Sequence, residues 1–196
     1  LTGGVTLDIL IYTSLAGIII ILIYGILLYN SLVDLKHMVS QAWSNIDILL
    51  KQRHDELPKL VETCKQYMGF EQETLKQVIA ARLQVATARE AGNIGALGPA
   101  ENMLRVGLGN LFAVAEDYPE LKASEQFQHL QARISGLENS IADRREYYNE
   151  AVKINNVRIE QFPEVIIASW FKFKARDLLE FSDAEKQDIN IGKLFS

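Results

Sequence analysis

The sequence predicts an all-α fold: an N-terminal transmembrane helix continuing into an antiparallel four-helix bundle with long helices. Three observations carry that prediction. An uncharged run from Ile9 to Tyr29 is long enough to cross a bilayer. Beyond it, apolar residues recur at alternating steps of three and four, the spacing of a helix with one buried seam. Prolines number only four among 196 residues while Leu, Ile, Ala, Glu, Gln, Lys and Arg dominate, which suits long helices better than a β-sandwich. The same arithmetic excludes collagen, low-complexity and disulfide-scaffold classes. A net charge of -5 leaves no electrostatic footprint of a nucleic-acid binder. Cys64, the single cysteine, has no partner for an intrachain disulfide or a zinc site.

The first element is the run ILIYTSLAGIIIILIYGILLY, which as a helix spans about 31 Å. A cleavable signal peptide is the rival reading. Residues 1–8 carry no Lys or Arg, however, and no small-residue cleavage site follows the run, so an uncleaved anchor at 9–29 is expected. A pilin-like processing site, read from Gly3-Gly4 and Asp8, lacks a visible basic leader. Lys36, then Lys51 and Arg53, follow the span and none precedes it, so the positive-inside tendency places the N-terminus outside and the body in the cytoplasm. Thr13, Gly17 and Gly25 share a face that a second helix could approach, or are incidental.

The body, 30–163, is read in order. Leu32, Leu35, Val39, Ala42, Ile46 and Leu49 continue the anchor helix into water without a turn signal. Pro58 should kink or break it, and the seam resumes at Leu57, Leu60, Val61, Cys64, Tyr67 and Met68 before Gly69. A second helix is expected over Glu71–Ala91, with Leu75, Val78, Ile79, Arg82, Val85 and Ala86 inward. A third is expected to open at Pro99 and stop at Tyr118-Pro119. Ser124 caps a fourth, whose seam runs through Phe127, Leu130, Ile134, Leu137 and Ile141, then Arg144, Tyr148, Ala151, Asn155 and Arg158.

After Phe162-Pro163, residues 164–181 combine Val165, Ile166, Trp170, Phe171 and Phe173 with Lys172, Lys174 and Arg176. That composition fits a membrane-interfacial segment or a cap across the end of the bundle. The tail, 182–196, is polar and aperiodic.

Tyr29-Asn30, Ala42-Trp43-Ser44, Arg53-His54-Asp55 with Pro58, Leu60-Val61-Glu62-Thr63, Glu116 with Tyr118-Pro119, Glu138-Asn139, Tyr148-Asn149, Asn156 and Phe162-Pro163 together resemble the bacterial LemA family. The resemblance runs from about Tyr29 to Arg176, with Asn155 departing from the Tyr usual there. It implies one N-terminal anchor, an outward N-terminus and a helical-bundle domain, and it supplies no reaction.

A di-iron bundle centre needs paired Glu-x-x-His motifs. None of His37, His54 and His129 has Glu three residues before it. No nucleophile elbow is present, and Gly92–Gly98 lacks the lysine and strand of a phosphate loop. No catalytic residue, cofactor or metal is therefore expected. Asp47, Arg53, His54, Asp55, Arg82, Glu116 and Arg145 form a polar set best read as networks that fix helix register, with a pocket at Pro58 as the sharper reading. Trp43 reads as a core anchor rather than a ligand platform. The function expected is a non-enzymatic scaffold of the bacterial inner membrane whose partners are lipids and further copies of itself. The alternative is an adaptor or signalling module for another membrane protein such as a protease or sensor.

Overall fold

A computed structural model describes residues 2–69 and 71–180; the 182–196 tail lies outside them. The described residues form six helices and no strand: α1 (Thr2–Tyr67), α2 (Gln72–Glu90), α3 (Ile94–Ala115), α4 (Pro119–Ala123), α5 (Glu125–Glu160) and α6 (Glu164–Trp170). The all-α class and the long apolar N-terminal helix are as expected from the sequence. The described residues divide into two compact units, one within 2–40 and 151–176 and the other within 41–150 and 177–180, and α1 and α5 each contribute to both.

Every large apolar side chain from Leu10 to Leu27 is 47–70% exposed, since among the described residues nothing covers this stretch of α1. A helix this long and apolar is able to cross a membrane. Further along the helix, Val39, Ala42, Ile46, Leu50, Leu57, Leu60 and Cys64 are buried. Leu50 rather than Leu49 carries the seam, and Arg53 occupies the next seam position.

Two expected boundaries are corrected. Pro58 does not break α1, which runs through it to Tyr67. A proline at 58 has no N–H for the carbonyl of His54, four residues earlier, and Arg82 Nε donates to that carbonyl instead at 3.0 Å. The third helix opens at Ile94 rather than at Pro99, because the Asn93 side chain accepts from Ala96 N at 3.0 Å and caps it upstream. Pro99 then sits inside α3. Gly98 is needed beside it, since a Cβ there would run into the backbone carbonyl of Glu180.

In the 41–150 and 177–180 unit, the pairs Asp47–Arg89 and His54–Arg82 set α1 against α2, residue numbers rising on one helix as they fall on the other. Trp43–Tyr148, Arg53–Glu138 and Glu56–Arg133 set α1 against α5 in the same antiparallel sense. Phe112 meets Phe127 edge-on between α3 and α5, and Val78 packs on Gly107 between α2 and α3. The expected inner face of α2 is rotated: Leu75, Val78, Ala81, Val85 and Ala88 are buried, and Ile79, Arg82 and Ala86 flank them. Tyr118-Pro119 opens α4, whose Leu121 is fully buried. On α5 the seam includes Tyr148, Ala151 and Asn155 as read, and Val152 besides, but Arg144 is exposed and Ile159 takes the place given to Arg158.

The chain after α6 is held to α5 by asparagines. In one unit, Asn149 accepts from Leu179 N and donates to its carbonyl, at 2.8 and 3.1 Å, while Tyr148 Oη donates to the Asp177 carbonyl. In the other, Asn156 makes the same two-way contact with the backbone of Arg176, at 2.9 Å each way. A segment outside regular structure finds in each asparagine amide the donor and acceptor that its backbone would otherwise lack.

Candidate functional site

Two groups of side chains stand out, one in each unit. The first surrounds Arg53, which is 1% exposed and donates to Glu101 on α3, at 2.5 and 2.6 Å, and to Glu138 on α5. Burial is the largest influence on Arg53 and disfavours its charge, but the two carboxylates together outweigh it and hold the guanidinium protonated. Burial also pushes the Glu101 carboxyl above the usual range, against the pull of Arg53. Glu138, 22% exposed, keeps contact with water. One helix thus pins two others by a planar fork suited to two carboxylates at once.

Around this triad, Arg89 grips Asp47 through both nitrogens, at 2.5 and 3.0 Å. Arg82 NH2 meets His54 Nε2 at 2.7 Å. A guanidinium only donates, so Nε2 must accept and the imidazole is neutral, its proton on Nδ1. Burial first, and then Arg82, lower the His54 pKa below its ordinary 6.5. The sign follows: between the lowered folded value and 6.5 the unfolded chain binds more protons, so stability is complete above 6.5 and declines as pH falls through that window. We expect the urea midpoint of the full chain in micelles to drop between pH 7 and 5, and to drop less in His54→Gln. An equal slope in both proteins would remove His54 from the account.

Of the polar set read from sequence, Asp47, Arg53, His54 and Arg82 lie on the contacts of α1 with its neighbours. Asp55 is exposed, Arg145 is half-buried, and Glu116 pairs with Lys122 at the surface. At Pro58, the Arg82 guanidinium reaches the His54 carbonyl that the proline leaves without its helical donor. Glu101 and Arg89 are absent from that set and Glu138 enters only through the Glu138-Asn139 motif, although Glu101 is the one acid of a helix whose only other charge is Arg105. Trp43 packs on Tyr148, ring centroids 5.7 Å apart. Cys64 is fully buried, its thiol pushed up to about 11 by burial, which makes it a poor nucleophile. Among the described residues no group of three His, Cys, Asp or Glu is placed to hold a metal.

The second group lies in the 1–40 and 151–176 unit, at the end of the apolar run. Leu32, Ile159 and Ala168 form its core, with Ile167 and Phe173 against it. Arg158 bridges Ser31 and Glu164. Tyr29, the last residue of the run, stacks on Phe171 at 4.7 Å and on Phe173 at 6.0 Å. Trp170 is 79% exposed beside Phe171, Ile166 and Phe162 are exposed with it, and Val165 is half-buried. Lys172, Lys174 and Arg176 are exposed and line, with Lys36 and His37, a cavity of about 590 Å³. The segment 164–176 therefore packs on the exit of the apolar run while leaving aromatic and basic side chains outward.

The family model for LemA family proteins matches residues 42–192. Magnetosome protein MamQ 2 of Paramagnetospirillum magneticum is 24% identical over 190 residues, covering 85% of this chain and 70% of that protein. MamQ of Magnetospirillum gryphiswaldense is 22% identical over 169 residues, covering 74% of this chain and 62% of its own length. Protein LemA of Metamycoplasma hominis is 25% identical over 167 residues, covering 84% and 74%. With the family model spanning most of the packed helices described above, the chain belongs to the LemA family.

Proposed function

We propose that this protein is a non-enzymatic, membrane-anchored scaffold that self-associates at the bacterial inner membrane through the outer face of α3. The carrying observation is the composition of that helix. Its 22 residues hold two charged groups, Glu101, which is buried, and Arg105. Met103 and Val106 are 52% and 55% exposed, and Ala113 is exposed on the same face. A side chain added at the neighbouring Gly109 would meet nothing within 4 Å. An uncharged helix face of this kind suits a copy of itself, because a two-fold contact places the same apolar residues on both sides. Anchoring in one bilayer confines the copies to a common layer and raises their effective concentration. The relatives' names designate a cellular structure or a family and no reaction, which fits a scaffold. The cations Lys36, Lys172, Lys174 and Arg176 at the exit of the apolar run favour a cytoplasmic body.

Cysteine crosslinking tests this. Cys64 is buried and inert, so the full chain in native membranes reports on an introduced thiol alone. Val106→Cys should give a disulfide dimer under mild oxidation, and Lys122→Cys, on another surface, should not. No dimer from Val106→Cys, together with capture of a different membrane protein at fixed ratio, would replace the scaffold by an adaptor.

A further inference from the structure

We propose that the cavity between Tyr29 and the 171–176 segment binds the phosphate of an anionic phospholipid headgroup. The inference deepens the membrane-anchored reading and rests on it. Lys36, His37, Lys172, Lys174 and Arg176 line the cavity, and among the described residues no Asp or Glu does. This concentration is local, since the chain as a whole carries a net charge of -5. Its volume, about 590 Å³, is that of a small-molecule site. Arg176 offers a fork that matches two phosphate oxygens, and the lysines supply point charges.

Two further observations point the same way. The backbone of Lys172 is left-handed, φ 57°, where it ends α6. The bonds Phe173 N to Ala168 O, at 2.9 Å, and Lys172 N to Ser169 O, at 3.3 Å, form a helix-closing motif whose left-handed position ordinarily takes glycine. The residue that takes this left-handed position also lines the cavity, and it is a lysine rather than the usual glycine. The second observation concerns source. The lining also includes Tyr29, the final residue of the apolar run, with Phe171 and Phe173 against it. Aromatic rings at that depth lie at the level of headgroups, which favours a lipid phosphate over a phosphate free in water.

The test uses the full chain in mild detergent, with bound lipid counted by native mass spectrometry after addition of phosphatidylglycerol, phosphatidylcholine or inorganic phosphate. Phosphatidylglycerol should be retained at least fivefold better than phosphatidylcholine. Lys36→Gln/Lys174→Gln should abolish that preference, and so should Lys172→Gly, which removes a charge while relieving the backbone and therefore keeps the fold. Equal retention of the two lipids, an unchanged preference in both variants, or inorganic phosphate competing at the lipid's own concentration would overturn the proposal. Failure of the membrane reading itself is seen separately. In a Trp43→Phe background, Trp170 should be quenched by brominated phosphatidylcholine in vesicles whatever the cavity binds, and absence of quenching would place the segment away from the bilayer.

Discussion

Replacing Arg53 by methionine should lower the stability of the full chain by about 3 to 5 kcal/mol, the usual cost of leaving a buried charge without its partner. Two features set the size. Arg53 and Glu101 are each 1% exposed, so water cannot take over when the guanidinium is removed. Methionine keeps most of the side-chain volume, so the loss reports charge rather than a cavity. The surface pair Lys122–Glu116 should contribute less than about 1 kcal/mol by the same measurement. Arg53→Met/Glu101→Gln/Glu138→Gln should recover much of the deficit, because no ionised carboxylate is then stranded. The single variant has a pH signature as well. Burial already raises the Glu101 carboxyl, and losing Arg53 raises it further. A group whose folded pKa exceeds its unfolded value penalises the fold above that folded pKa and ceases to do so as pH falls through it, so the deficit should shrink on acidification. Denaturant titration in micelles, followed by circular dichroism at neutral and acidic pH, checks both statements. A deficit below about 1 kcal/mol would mean that Arg53 is not the buried clamp described.

The same residues show what could be read before the structure was known. Phe127, Leu130, Ile134, Leu137 and Ile141 were legible because each apolar residue follows the last by three or four and all are buried. The continuation was harder, since Tyr148 and Asn155 are buried for their contacts with other segments. A kink or a break was expected at Pro58, and α1 runs through it unbroken. The local rule concerns the carbonyl it deprives, and that carbonyl is satisfied by Arg82, 28 residues beyond His54. Glu101 and Arg89 resemble any surface acid or base in sequence, and the Glu138-Asn139 motif names no partner for Glu138. Only the antiparallel register, which brings 53 opposite 138 and 47 opposite 89, selects them. The asparagines that hold 176–179 were visible as family motifs, but their role depends on a chain segment that follows them by 20 and 30 residues.

The second large effect belongs to the unit that adjoins the apolar run. Leu32 of α1 is fully buried in a core cluster with Ile159 of α5 and Ala168 of α6. Leu32→Ala should cost about 2 to 5 kcal/mol, the transfer free energy of the lost carbons plus a cavity that three helices can only partly close. The loss should fall mainly on α6. With seven residues that helix has too few internal hydrogen bonds to persist by itself, so its order depends on docking. Detachment would separate Phe171 and Phe173 from Tyr29 and open the wall of the basic cavity. Hydrogen exchange in micelles should show protection lost over 164–176, while the seam of α1 around Arg53, held by α3 and α5 through charge pairs, keeps its protection. Leu32→Met, which conserves volume, should leave α6 protected. Uniform loss across all helices in Leu32→Ala would show instead that the two units open together, and unchanged protection of 164–176 would mean that Leu32 is not what docks it.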